Sequence, residues 1–105
     1  MTASVVPILD DRLRVLAEPA RAAIVGALAM EQLCTCHLVE ITGARQTNVS
    51  NHLRVLREAG IVQAEPAGRY TYYRLRPEVF DELADQLGSL AASARMAKAV
   101  RRPCG

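Results

Sequence analysis

The stretch LCTCHLVEITGARQTNVSNHL, residues 33–53, carries most of the chemistry this chain can offer. Cys34 and Cys36 stand one residue apart, and the only other cysteine is Cys104, in the terminal RRPCG. Thiolate is a soft ligand, suited to thiophilic ions such as As(III), Cd(II), Pb(II) or Zn(II). Three cysteines are an odd number and too few for a disulfide scaffold. In a reducing compartment they read as metal ligands, redox thiols or inert core residues. On a regular α-helix, side chains two residues apart diverge by about 200°. Cys34 and Cys36 can therefore share an ion only if the first turn of the helix they enter unwinds or has not begun. The expectation is that ligation enforces a non-helical start there. Cys36-His37 adjacency makes no catalytic dyad, because base and nucleophile meet in space and rarely as sequence neighbours. With no C-x-x-C, no Gly-rich phosphate loop and no paired acids, the chain reads as a non-enzyme without an organic cofactor.

A second chemistry begins at Arg45. Over residues 45–59, Val49, Leu53 and Leu56 repeat at helical spacing, while Gln46, Thr47, Ser50, Asn51 and Arg54 fall on the other side. Amides, hydroxyls and arginine match base edges and phosphates. An ordinary solvated helix would carry Glu and Lys, and this one has neither before Glu58. The reading is a recognition helix for the major groove of double-stranded DNA. His52 lies within it and reads as a DNA contact or a structural residue. Charge agrees: residues 45–76 hold six arginines against two glutamates, a local balance of +4, while the rest of the chain carries −2.

The elements that position these groups follow from periodicity and punctuation. Residues 8–17 (Leu9, Leu13, Leu16) read as a helix, and EPARAAIVGAL as a second, with Pro19 in its first turn. A short third helix covers about 36–41 and stops at Gly43. After the helix of 45–59 and the stop at Gly60, residues 61–65 and 70–75 read as strands joined by a Pro66-Ala67-Gly68 turn. Arg69 then lies near the tip of this wing (61–75) and would reach phosphate or the minor groove. Arg74 lies further back and is expected to pair with Glu65 or another acid. Pro77 opens the last helix, about 77–99, followed by a tail at 100–105. The order predicts a mainly α single domain, residues 1–105, with a β-hairpin: a winged helix-turn-helix. The last helix carries a stripe of Phe80, Leu83, Ala84, Leu87, Leu90, Ala91 and Ala94. Its small residues invite a symmetric partner, with Leu9, Leu13, Leu83, Leu87, Leu90 and Ala91 as the dimerisation set.

The strings LAEPARAAIVGAL, QLCTCHL, TGARQTNVSNHLRVLREAGIV and GRYTYYRL together resemble the ArsR/SmtB family of metal-responsive transcriptional repressors, over about residues 9–80. The resemblance implies a homodimer that represses its operator and lets go when metal binds. A Cys-x-Cys pair at this helix is the pattern of the family's arsenic- and antimony-sensing branch and of a cadmium/lead-sensing branch. The first often has a third Cys where this chain has Val39. The second draws one from the N-terminal segment, which here has none. Cys104 is the remaining candidate for third ligand, and arsenite, which forms three-coordinate thiolate sites, is the expected inducer, with Sb(III) beside it. Cd(II), Pb(II) or Zn(II), or a thiol-disulfide switch through Cys104, are the alternatives. The family often has Asp where this chain has His37, so no ligand role is carried to it. The zinc and nickel sensors' site on the last helix uses His, and this helix has none. Arg45 replaces the usual Ser cap and Glu18 the usual Asp or Asn, and both are expected to weaken capping, by about 1 kcal/mol.

Composition sets bounds on this reading. At 105 residues and 50% apolar, the chain can fold but buries a small core. No apolar run approaches the ~20 residues needed to cross a bilayer, and MTASVVPILDD lacks the features of a signal peptide. A cytoplasmic protein without a membrane partner is expected.

Overall fold

The computed structural model describes residues 9–97, 99 and 101–104. Ile8 of the expected first helix, Lys98 of the expected last helix, and Val100 and Gly105 of the expected tail lie outside the described residues; the last helix, expected to about 99, ends at Met96. The elements are α1 (Asp11–Ala17), α2 (Pro19–Leu28), β1 (Leu33–Cys34), α3 (Thr35–Thr42), α4 (Gln46–Glu58), β2 (Val62–Ala67), β3 (Tyr70–Leu75) and α5 (Pro77–Met96). The winged helix-turn-helix expected from the sequence is present. Its core joins Ile24 and Leu28 of α2, Leu38 of α3, Val49, Leu53 and Leu56 of α4, Ile61 and Val62 at the base of the wing, and Val79 and Leu83 of α5.

The helix ends differ from expectation in instructive ways. Leu9 and Asp10 do not form the first turn of α1. Asp10 is its cap, and a carboxylate oxygen accepts from the Arg12 backbone N–H at 2.9 Å. The Arg12 guanidinium, the Arg12 N–H and the Gln86 amide all favour the charged form of Asp10, so its pKa lies far below the usual carboxylate range. Gln86 Nε2 donates to Asp10 at 3.1 Å and Arg12 reaches Glu82 at 3.0 Å, so polar bonds tie α1 to α5. Glu18 does not weaken the start of α2 as expected. Its carboxylate spans the extra methylene and accepts from the Arg21 N–H at 3.0 Å. Arg45, by contrast, gives α4 no side-chain cap.

At the far end of α4 the chain must reverse into the wing. Gly60 adopts φ +78°, its N–H meets the Arg57 carbonyl, and the Ile61 N–H meets the Leu56 carbonyl, both at 2.9 Å. This is the two-bond glycine stop that satisfies the last carbonyls of a helix.

The wing corrects two expectations. Its turn is the two-residue Gly68-Arg69, not Pro66-Ala67-Gly68, since Ala67 pairs with Tyr70 and Pro66 with Thr71. Gly68 has φ +64° and Arg69 does not have positive φ, the pattern of a tight turn with glycine first. Pro66 is tolerated inside a strand because β2 is an edge: the antiparallel sheet order is β1-β3-β2. The third strand, β1, was not foreseen. It pairs Leu33 with Tyr73 and Cys34 with Tyr72, and two residues are too few to display alternation.

The stripe on α5 divides. Leu83 is buried at 3% exposure and belongs to this chain's own core, and Phe80 packs against that core. Leu83 therefore leaves the set expected to meet a second chain, and Leu13, half-buried against the same core, is only partly available. Leu9, Leu87, Leu90 and Ala91 remain exposed. The reason is length: the buried residues of α5, Val79 and Leu83, lie in its first two turns.

Candidate metal centre and nucleic-acid face

The sulfur site is built by a change of backbone at one residue. Cys34 is both the end of β1 and the residue preceding the first turn of α3, with φ −90° and ψ 172°. Pairing with Tyr72 demands that extended geometry. The helix thus begins after Cys34, and the 200° divergence of a regular helix does not apply. Cys34 Sγ and Cys36 Sγ lie 2.8 Å apart. Of the two conditions expected from the sequence, the second is the one met: the helix has not begun at Cys34, and the thiols approach with α3 intact from Thr35.

His37 belongs to the same cluster. Its Nδ1 accepts from the Cys34 backbone N–H at 3.1 Å and lies 3.2 Å from Cys34 Sγ. This is the reach-back half of a capping box, with imidazole in the place usual for Glu or Gln. Tyr72, across the β1–β3 ladder, flanks the ring at a centroid distance of 6.0 Å. One donor atom from each of Cys34, Cys36 and His37 falls within a 4.8 Å span. Sequence reading passed His37 over. The signal that could have found it was its position three residues after a capping residue.

Electrostatics order the two thiols. Burial pushes Cys34 up. The Cys36 thiol and the backbone N–H groups at the start of α3 donate to its sulfur and outweigh burial, so its pKa falls below the ordinary thiol value. Cys36 is raised, first because its proton is held by Cys34 and then by partial desolvation. Cys34 is buried, Cys36 exposed and His37 half-buried, which gives a small ion a route in. Two thiols and an imidazole form a soft-to-borderline donor set, and they fit a thiophilic metal. Cys104 is exposed on the chain beyond α5 and is not brought into this cluster.

The second surface lies on α4. Gln46, Thr47, Ser50, Asn51 and Arg54 are all exposed, while Val49, Leu53 and Leu56 are buried. At 100° per residue the five span an arc of about 140°. Arg54 makes a loose pair with Glu58 at 3.6 Å. Arg45, Arg57 and Arg69 have no acidic partner among the described residues. Arg74 is held by Glu65. His52 is half-buried, with Nδ1 3.4 Å from the Arg21 guanidinium. The two surfaces meet: a cleft of about 290 Å³ is lined by Cys34, Thr35, Cys36, Gln46, Arg69, Tyr70, Thr71 and Tyr73.

Comparison with known proteins fits this arrangement. Residues 18–64 match the family model described as "Bacterial regulatory protein, arsR family". The chain is 43% identical over 65 residues to the arsenic resistance transcriptional regulator ArsR1 of Pseudomonas putida, covering 61% of this chain and 51% of that one. It is 30% identical over 78 residues to the arsenical resistance operon repressor of Bacillus subtilis, covering 73% and 74%. A crystal structure described as a "Possible transcriptional regulator for arsenical resistance" superposes with a TM-score of 0.70 at 34% identity, over 86% of this chain and 99% of the other. These relatives are named as regulators, not enzymes. The chain spans about half the length of the Pseudomonas and mycobacterial relatives it matches. No described helix is long and apolar enough to cross a membrane.

Proposed function

The chain belongs to the ArsR family of bacterial regulatory proteins, and from that premise we propose that it is a dimeric repressor whose operator is released when a thiophilic metal(loid) binds Cys34 and Cys36. Arsenite is the ion the paired thiols suit first, with antimonite beside it. Its third thiolate would be Cys104, from the same chain or its partner. The supporting relatives are those named for arsenic and arsenical resistance.

The single observation that carries the reading is the 2.8 Å approach of the two sulfurs at the joint between β1 and α3. Cys34 is hydrogen-bonded through its strand to β3 of the wing, and Cys36 rides on α3, which packs against α4. An ion bridging them would fix the wing relative to the reading helix. Repression is relieved only if the ion prefers the arrangement that DNA does not. This linkage starts from the non-helical geometry already present at Cys34.

On the DNA side, Gln46, Thr47, Ser50, Asn51 and Arg54 would meet the major groove, and Arg69 the flanking backbone. The uncapped N-terminus of α4 leaves backbone N–H groups for a phosphate. The exposed part of α5, with Leu87, Leu90 and Ala91, joined by Leu9, would form the dimer face. The domain is read as the whole of residues 1–105, acting in the cytoplasm.

Arsenite titration of the protein–operator complex, read by fluorescence anisotropy, tests this. Release in the wild type, lost in Cys34→Ser and in Cys36→Ser, is the expected result. Release that survives both substitutions removes the sulfur site from the function.

A further inference from the structure

Among the described residues, His52 is the one side chain of α4 with a hydrogen-bond partner on another element. Its Nδ1 lies 3.4 Å from Nη1 of Arg21, in the first turn of α2. Arg21 Nε donates to the Val15 carbonyl, in the last turn of α1, at 2.7 Å. The guanidinium meets no carboxylate among the described residues. The nearby Glu18 carboxylate is engaged instead by the Arg21 backbone N–H at 3.0 Å. One permanently charged group therefore joins α1, α2 and the reading helix. We propose that His52 contacts a phosphate of the DNA backbone through Nε2–H, and that Arg21 is the positioning residue that holds its imidazole in that tautomer. This rests on the reading of α4 as the helix that meets DNA.

A guanidinium offers five donors and no acceptor. The ring nitrogen that faces it must present a lone pair, so in the neutral imidazole the proton sits on Nε2. The separation of 3.4 Å is long for a hydrogen bond. The constraint it sets is nevertheless one of sign, because an Nδ1–H turned toward a guanidinium would set donor against donor. Nε2 has no partner of its own among the described residues. The place of His52 on the helix says what that N–H can reach. At 100° per residue it lies about 100° beyond exposed Asn51 and about 40° from buried Leu56. That is the margin of the polar face. A helix seated in the major groove meets base edges with the middle of its face and the phosphate wall with its margin. Arg45, seven residues earlier, falls on the same margin, within about 20° of His52. It too lacks an acidic partner among the described residues. His52 and Arg45 thus mark a line of backbone contacts separate from the five reading residues.

Two substitutions separate the ring nitrogens. Gln places an amide N–H near the position of Nε2, and Asn places a carbonyl near that of Nδ1. Operator affinity of the full chain, measured by fluorescence anisotropy, is expected to stay within about two-fold in His52→Gln and to fall about ten-fold in His52→Asn, the loss of one hydrogen bond to a charged group. The fall should be equal on an unrelated duplex, since a phosphate carries no sequence. Nitrogen-15 NMR, at a pH above the ordinary histidine value, should show the Nε2–H form of His52 in the wild type and a mixture of both forms in Arg21→Met. Variants that bind equally, or in the reverse order, overturn the contact. A fall confined to the operator overturns phosphate as its partner. An Nδ1–H ring in the wild type, or an unaltered ring in Arg21→Met, overturns the role of Arg21. If a variant fails to fold, as judged by circular dichroism, the wild-type ring decides: its Nε2 resonance must shift when operator is added, and a fixed resonance overturns the inference. Wild-type protein that binds DNA while these readouts fail sinks this inference alone. Wild-type protein that binds no DNA overturns the reading of α4 as well.

Discussion

The start of α3 and the outer face of α4 border one cleft, yet they are organised in opposite ways. At α3 the functional atoms already touch: sulfur to sulfur at 2.8 Å, imidazole to sulfur at 3.2 Å, imidazole to backbone at 3.1 Å. On α4, Gln46, Thr47, Ser50 and Asn51 are exposed, and their side chains make no hydrogen bond to the chain among the described residues. The difference follows from the ligands. An ion brings no donors of its own, so those of the protein must be gathered beforehand by the fold. A nucleic acid brings its own array of donors and acceptors, and groups already bonded within the protein would have to be released before they could read it. Preassembly therefore suits the first region and an unsatisfied surface suits the second.

The harshest way to break this contrast is to remove what both regions stand on. Leu53 is buried at 1% beneath α4 and belongs to the core shared with α3. Leu53→Ala is expected to destabilise the fold by about 2–5 kcal/mol. Urea unfolding followed by circular dichroism measures it, and operator binding should fail together with metal binding. An unaltered midpoint would mean that the two regions do not share that core.

Changing one region while sparing the other sharpens the contrast. Asn51→Ala is expected to cost about 1–3 kcal/mol of operator affinity and to relax discrimination at one base pair. Ion binding at Cys34 and Cys36 should be unaffected, as calorimetry would show. Arg69→Ala should act more weakly and without regard to sequence. The slope of log affinity against log salt should fall by about 1, the signature of one lost phosphate contact. An unchanged slope would take the wing tip away from DNA.

The smallest effect lies outside both regions. The pKa of Asp10 is depressed by Arg12 and Gln86, so its contribution to stability is complete above the unfolded carboxylate value, near pH 4. It is lost as pH falls through the lower folded value. Asp10→Asn should therefore lower the melting temperature at neutral pH and make its decline on acidification shallower. Identical pH profiles for the two proteins would show that the α1–α5 bonds contribute nothing to folding.

Much of the architecture was legible in the residues. Val49, Leu53 and Leu56 announced the buried side of α4, and Gly43 and Gly60 marked the ends of α3 and α4 where they occur. These signals are local: a 3.6-residue repeat and a residue free to take positive φ say the same thing in any surroundings. Glu18 and Pro66 were misread because their general preferences yielded to particular circumstances. Glu18 reaches an N–H that a shorter acid would normally cap, and Pro66 sits on a strand edge with no missing bond to regret.

The sequence by itself settled which face of α4 is polar and that two thiols lie near it, because periodicity and spacing are properties of the chain alone. Tertiary structure decided that those thiols meet. The pairing of Cys34 with Tyr72 depends on a strand that arrives 38 residues later, and that pairing holds Cys34 extended and brings its sulfur to Cys36 and His37. It also decided that Leu83 is buried while Leu87 and Leu90, on the same stripe, are left in solvent. A repeat specifies which side of a helix is apolar, but only packing determines how far along its length there is something to cover it.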